Sequence, residues 1–257
     1  NTCSVREKAE QKLRSEVGRL AKLKRVRPDL VLVVAGCMAQ QEGHKILAAM
    51  PLVDVVIGPD NIADLPELVA QARLGGPPAV RTVFDLDAPR FLTAPASSGN
   101  PTACVTTMKG CDERCSFCVV PYTRGPERYR PSEEIIAEVD QLVAGGVREI
   151  TLLGQTVNSY RDPTLPLAPF AAVDDPDESA FAALLYAIAE RVPKLERLRY
   201  TSPHPRHLTP SLIAAHRDLE VMPKHVHLPV QSGSDRMLKR MIRRYTLAEY
   251  VERVARL

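Results

Sequence analysis

Residues 103–118 read ACVTTMKGCDERCSFC. The first part is rich in β-branched and small apolar residues and predicts a buried strand running to Gly110. The second part sets Cys111, Cys115 and Cys118 in the spacing C-x3-C-x2-C, immediately after that strand. Downstream of Cys118 the chain alternates helix and strand. PSEEIIAEVDQLVAGG (131–146) predicts a helix with Ser132 as its cap, Glu133 and Glu134 suited to its positive end, and a glycine pair to stop it. REITLLGQTVNSY (148–160) is a strand running into a loop, DESAFAALLYAIAERVP (177–193) a helix, LERLRYTSPHP (195–205) a strand and loop, and TPSLIAAHRDL (209–219) a helix. HVHLPVQSGSD (225–235) predicts a fourth strand and loop, and DRMLKRMIRR (235–244) a further helix carrying Arg240, Arg243 and Arg244. Four βα units in a row, each strand ending in a loop with Cys, Asn, Ser, His or Gln, predict a partial (β/α) barrel with its chemistry at the carboxyl ends of the strands.

Upstream, SVREKAEQKLRSEVGRLAKLKRVRP (4–28) spaces Val5, Ala9, Leu13, Val17 and Leu20 as one face of a helix that Pro28 ends, and KLKRVR (22–27) reads as surface. LVLVVAGCMAQ (30–40) is a buried strand breaking at Gly36, GHKILAAMP a short helix, VDVVIG a second strand, and NIADLPELVAQAR a helix with Asn61 as cap. This alternation predicts a small Rossmann-like α/β domain over residues 1–93, without G-x-G-x-x-G and so without a dinucleotide fingerprint. Composition turns to Pro, Gly, Ser and Ala through 75–103, with one short strand at the start of that stretch; residues 94–102 are read as a linker and 103–257 as the partial barrel. The chain begins Asn-Thr-Cys and ends in EYVERVARL, inside a helical pattern without a stop signal, so it reads as truncated at both ends.

The 257 residues are 45% hydrophobic and 25% charged, with a net charge of +3. That balance is globular and permits a nucleic-acid partner without requiring one. Aromatic residues are only 5%, with no Trp, which argues against a broad base-stacking platform. Six cysteines without a signal peptide, and no apolar run long enough to span a bilayer, predict a cytoplasmic protein with reduced thiols, away from membranes.

A structural zinc site closes four ligands, commonly in CxxC pairs, and no second pair comes after Cys118. A disulfide is disfavoured by compartment, and three unrelated buried thiols within eight residues is improbable. The remaining reading is a [4Fe–4S] cluster held by three thiolates, with one iron open to substrate. The motif, with Phe117 directly before its last cysteine, resembles that of the radical S-adenosylmethionine (SAM) superfamily. The resemblance implies SAM on the open iron, an external electron donor, and one-electron cleavage to a 5′-deoxyadenosyl radical.

GCDERCSFCVVPYTRGPERYRP, TLLGQTVNSY, HLPVQSGSDRMLKRMIRRYT, NTCSVREKAEQK and GCMAQ together resemble the methylthiotransferases of that superfamily, in particular those acting on tRNA. The likeness covers nearly all of the chain apart from the linker and the loop at 162–178. It implies a second, auxiliary [4Fe–4S] cluster with Cys3 and Cys37 as two of its three ligands, the third lying upstream, so that this chain is expected to lack full activity. It also implies methylthiolation at C2 of N6-isopentenyladenosine beside the anticodon, an aromatic C–H that gives a general base no acidic proton. The sister activity on an aspartate of a ribosomal protein, and a non-catalytic iron–sulfur or zinc module that binds RNA, stay open as alternatives. Asn158 reads equally as a SAM-facing residue or a loop cap, whereas Gln231, Ser232 and Gly233 read as SAM contacts, Gly233 by close backbone approach. Arg124, Arg128 and Arg130 are expected to meet tRNA phosphates. His204, His225 and His227 are not taken as ligands, and Cys104 is expected to be a small buried thiol. Two positions depart from the family pattern, Tyr129 in place of Ser and Thr156 in place of the commoner Asn, and neither is expected to touch a cluster ligand.

Overall fold

The computed structural model describes residues 1–4, 7–86, 91, 93, 99–172 and 174–257. Val5 and most of the expected linker, at 94–98, lie outside them. Two units emerge, Asn1–Arg90 with Val119–Gly125, and Phe91–Cys118 with Pro126–Leu257.

In the first unit α1 (Glu7–Val26) begins with Glu7 and Glu10 and ends with Lys24 and Arg25, charges that suit the helix dipole at both ends. Then come β1 (Val33–Ala35), α2 (Cys37–Glu42), α3 (His44–Ala49), β2 (Val55–Ile57), a 3-10 turn (Pro59–Asp64), α4 (Leu65–Arg73) and β3 (Ala79–Arg81). The strands form a parallel sheet in the order β1-β2-β3. A parallel sheet is covered on both faces, and β2 accordingly has no exposed residue. Val34 and Val56 pack with Val17 and Ile46 on one side, and Val55 and Ile57 pack with Leu68 on the other. Lys24, within the stretch read as surface, forms an ion pair with Asp54, whose carboxylate also accepts from the Leu32 N–H at 2.7 Å. Asn61 is not a helix cap: it lies inside the 3-10 turn, and its Oδ1 accepts from the Val83 N–H at 2.9 Å. The short α5 (Val120–Arg124) packs on α2.

The second unit contains β4 (Thr102–Thr106), β5 (Met108–Lys109), β6 (Arg128–Tyr129), α6 (Ser132–Ala144), β7 (Glu149–Leu153), α7 (Phe181–Arg191), β8 (Arg197–Tyr200), α8 (Pro210–Asp218), α9 (Asp235–Arg240) and α10 (Leu247–Ala255). β4, β7 and β8 form a parallel sheet in that order, with Thr102 opposite Glu149 and Glu149 opposite Arg197. Val105, Ile150, Leu152 and Leu198 from this sheet pack with Ile135, Val139, Leu184, Leu185 and Leu212 from α6, α7 and α8. This is the layering that successive βα units dictate.

Several local expectations are corrected. The strand expected to run to Gly110 breaks at Thr107, whose N–H and hydroxyl both donate to Leu153 O, at 2.9 and 3.2 Å; β5 then pairs antiparallel with β6. Ser132 is the first helical residue of α6 rather than its cap, and its N–H donates to Asp162 Oδ2 at 2.7 Å from a loop thirty residues away. The fourth strand does not form. Pro223 and Pro229 carry no N–H, and the carbonyls of Leu228 and Val230 accept from the hydroxyls of Tyr250 and Tyr245, at 2.8 and 2.7 Å. α9 stops at Arg240, so Arg243 and Arg244 are not on it; Ile242 and Arg244 take φ of 57° and 55° on either side of Arg243. Among the described residues no helix is long and apolar enough to cross a membrane.

Candidate functional site

Parallel strands deliver their following loops to one end of the sheet. Gly154, just past β7, allows the close approach there, since a Cβ would stand 2.7 Å from Met108 Cγ and 2.9 Å from Val157 Cα. At that end the loop 110–118 is stitched to three other segments of its unit. The Sγ of Cys111 lies 2.9 Å from Thr156 Oγ1 in the loop after β7. Glu113 Oε1 accepts from Arg206 Nη1 at 3.4 Å and lies 3.7 Å from His207 Nε2, both in the turn after β8. Arg243 Nη1 reaches Cys115 Sγ at 3.2 Å, while Ser116 bonds the carbonyls of Met241 and Arg240 through its N–H and hydroxyl, at 3.1 and 3.0 Å.

Cys111 and Cys115 are buried, at 7% and 9% exposure, and Cys118, partly exposed, donates its N–H to Cys115 O at 3.0 Å. Burial pushes the Cys111 thiol up to about 11 against the opposing hydrogen bond from Thr156. Glu113 goes the other way: burial alone raises it, but the neighbouring His207 and the Arg206 guanidinium hold it at about 2. Arg243 is buried with its guanidinium 5.4 Å from the Tyr245 ring centre, and Tyr245 packs edge-on to His204. Burial pushes His204 down to about 3, so it stands neutral. Among the described residues no group of three His, Cys, Asp or Glu side chains has the geometry of a metal site.

Asn158 is fully buried; its Nδ2 donates to His204 O at 2.9 Å and its Oδ1 accepts from His204 N–H at 2.7 Å, so the amide latches the β7 loop to the β8 loop. Phe117 is exposed at the tip of the cysteine loop. Gln231 is exposed and takes a left-handed φ of 69°, and the Ser232 hydroxyl accepts from the Ser234 N–H at 3.2 Å. A Cβ on Gly233 would meet nothing within 4 Å, so the backbone there borders open space.

Of the three arginines expected at phosphates, Arg128 and Arg130 are buried and Arg124, on α5, is half-buried. Arg130 is committed elsewhere, to ion pairs with Glu138 and, at 3.3 Å, Glu134. Tyr129 donates to Glu127 Oε2 at 2.5 Å, and Ser159 Oγ donates to Oε1 of the same carboxylate at 2.9 Å; burial raises this carboxyl above its ordinary range. Cys104 is exposed on β4, not buried, because it falls on the outward alternation of the strand. His225 and His227 are exposed as well. The expectation that Thr156 stays clear of the cysteines is overturned by its contact with Cys111. Arg243 was missed as a site residue; its place in an Arg-Arg-Tyr run suggests surface charge, and only the left-handed turns beside it bring it inside.

In the first unit Cys37 opens α2 directly after Gly36, whose φ is 104°. A Cβ on Gly36 would fall 2.3 Å from Asn1 Oδ1 and 2.8 Å from Thr2 O. Thr2 donates to Ala35 O at 2.8 Å and accepts from the Met38 N–H at 3.2 Å. The segment carrying Cys3 is therefore fastened beside Cys37, at the carboxyl end of β1.

Comparison with known proteins agrees with this architecture. The Radical SAM superfamily matches residues 105–257, and the family described as Uncharacterized protein family UPF0004 matches residues 1–58. Two relatives called tRNA-2-methylthio-N(6)-dimethylallyladenosine synthase are similar to the chain. That of Sorangium cellulosum is 70% identical over 98% of this chain and 53% of its own length, and that of Cupriavidus taiwanensis is 45% identical over 100% and 55%. The chain thus spans about half the length of the curated relatives it matches. Among solved structures, the cobalamin-dependent S-adenosylmethionine radical enzyme OxsB aligns over 96% of this chain and 37% of its own, with TM-score 0.61 and 14% identity. The radical S-adenosylmethionine methyltransferase TsrM from Kitasatospora setae aligns over 93% and 50%, with TM-score 0.55 and 17% identity. At those identities the two show a shared fold.

Proposed function

The chain belongs to the radical SAM superfamily, and from that premise we propose that it works as a tRNA methylthiotransferase, placing a methylthio group at C2 of N6-isopentenyladenosine next to the anticodon. The observation that carries the reaction class is the cysteine loop at the carboxyl end of β4, with hydrogen-bonding side chains against two of its thiols. The substrate is inferred from the similarity to the tRNA-2-methylthio-N(6)-dimethylallyladenosine synthases.

The donor set suits an iron–sulfur cluster: soft thiolates on Cys111, Cys115 and Cys118, two of them buried, with the Arg243 cation to offset thiolate charge. Cys111, Cys115 and Cys118 would hold a [4Fe–4S] cluster, which would supply the single electron for reductive cleavage of SAM. The protein's own part is positional. Glu113 ties the loop to the turn at Arg206 and His207, Asn158 fixes the neighbouring loop, and the apolar core beneath keeps these loops on a rigid sheet. Phe117, Gln231, Ser232 and Gly233 are assigned to SAM, and Cys3 and Cys37 to the auxiliary cluster. The electron comes from an external donor, and the setting is the cytoplasm.

Protein reconstituted with iron and sulfide in the absence of air, then reduced, is expected to release 5′-deoxyadenosine from SAM. Sulfur transfer is then compared on isopentenylated tRNA and on ribosomal protein. Transfer to an aspartate instead of tRNA would favour the sister activity, and no 5′-deoxyadenosine at all would reduce the molecule to a binding module. Partial exposure makes Arg124 the arginine suited to phosphate. In tRNA binding, Arg124→Ala should flatten the slope of log affinity against log salt by about one counterion. An unchanged slope removes Arg124 from the interface.

A further inference from the structure

The geometry points to Thr156 and Arg243 as a pair of hydrogen-bond donors that set the reduction potential of the cluster held by Cys111, Cys115 and Cys118. The inference rests on the reading of that loop as a cluster site. A cysteine that ligates iron is a thiolate and can only accept, so at the 2.9 Å contact the Thr156 hydroxyl donates to Cys111 Sγ. Arg243 Nη1, at 3.2 Å from Cys115 Sγ, donates with a full positive charge. Both contacts are buried, where a donor acts on the sulfur without competition from water.

The two donors arrive from different parts of the chain by different means. Thr156 stands in the loop after β7, immediately before the 3-10 turn Val157–Ser159. Arg243 is carried inward between two residues of left-handed φ, one of them the β-branched Ile242, for which that conformation is a genuine outlier. Its guanidinium is further oriented by the Tyr245 hydroxyl, 3.4 Å from Nε, and that hydroxyl itself donates to Val230 O at 2.7 Å. Strain of this kind persists only where the surroundings enforce it, and here it delivers a cation to a thiol.

One-electron reduction adds negative charge that spreads onto the thiolates. Donors to sulfur stabilise the reduced form more than the oxidised form and so raise the potential. Thr156 and Arg243 are positioning and tuning residues; neither is assigned contact with substrate. Thr156 is the more informative of the two, because a Val in its place keeps the shape and removes only the hydroxyl donor at the 2.9 Å contact.

The test uses the chain with Cys3 and Cys37 replaced by Ala, so that a single site takes up iron, reconstituted without air and titrated with a one-electron reductant and redox dyes under EPR. Thr156→Val keeps the shape and removes the donor. It is expected to retain iron and sulfide and to shift the oxidised-to-reduced ratio at fixed solution potential about tenfold toward oxidised, which is about 59 mV for one electron. Thr156→Ser should restore the parent value. Arg243→Lys, which keeps a cation but loses the fork, should shift the ratio in the same direction as Thr156→Val. A Thr156→Val protein with full iron and an unmoved midpoint, or a Ser variant that behaves like Val, overturns the inference while leaving the cluster reading intact. Should Thr156→Val fail to fold, an unmoved midpoint in Arg243→Lys overturns it instead. A parent chain that takes up no cluster overturns both.

Discussion

Cys115→Ala is expected to abolish the chemistry: reconstituted protein should hold no intact [4Fe–4S] cluster, and 5′-deoxyadenosine release should fall more than about a hundredfold, beyond what losing an outer partner of a metal ligand costs. The size of the effect reflects the ligand count. A cube held by three thiolates has no redundant anchor, and removing one leaves two irons without protein support. The replacement also strands Arg243, which is buried against the Cys115 sulfur and would keep the Tyr245 hydroxyl but no anionic partner at that end. An uncompensated buried cation is costly, so some loss of stability should accompany the loss of iron. Cys104→Ala is the matched control, because Cys104 is exposed on β4 and bonds into the sheet through its backbone. Iron and sulfide analysis with product chromatography on both variants decides the matter. Undiminished iron in Cys115→Ala would mean that the loop is not the ligand set.

The sequence made the architecture legible where periodicity is long and repeated. The α6, α7 and α8 segments and the three parallel strands, one preceding each of them, appear where the apolar pattern put them, because burial of whole faces leaves little freedom. It failed where backbone groups are satisfied by side chains instead of a ladder. The segment through His225–Val230 has strand-like residues, yet tyrosine hydroxyls occupy its carbonyls and prolines deny it donors. Capping failed for a similar reason. Ser132 and Asn61 are good caps by type, but Asp162 supplies one helix start from a distance, and Asn61 is spent on Val83.

Within the site, the grouping of the three cysteines on one loop was readable from spacing, whereas their surroundings were not. Thr156 is forty-five residues from Cys111, and Arg243 is one hundred and twenty-eight from Cys115. Such partners are created by the turns between strands, and no local pattern announces them. The same blindness explains Arg130. A run of arginines beside the loop suggests an RNA-facing surface, but β6 turns the side chain of Arg130 inward onto α6.

That inward turn carries the largest expected stability effect. The Arg130 side chain is 5% exposed and is paired with Glu138, itself 9% exposed, and with the largely exposed Glu134. It also donates to the carbonyls of Glu134, at 3.3 Å, and Thr106, at 3.5 Å, while its own backbone N–H bonds Thr107 O at 2.9 Å and its carbonyl accepts from Tyr160 at 2.6 Å. Arg130 therefore joins β6, the end of β4 and the start of α6, the frame on which the cysteine loop rests. Glu138→Ala leaves the guanidinium buried without its closest anion and should cost about 3–5 kcal/mol. Glu134→Ala, whose carboxylate faces water, should cost about 0–1 kcal/mol. Replacing both buried partners, Arg130→Met with Glu138→Leu, should recover most of the loss, since two apolar groups leave no charge unpaired. Denaturant midpoints of the four proteins, with unchanged slopes, provide the measurement. If Glu138→Ala costs no more than Glu134→Ala, and Arg130→Ala instead flattens the salt dependence of RNA binding, Arg130 points outward to phosphate and does not hold that frame together.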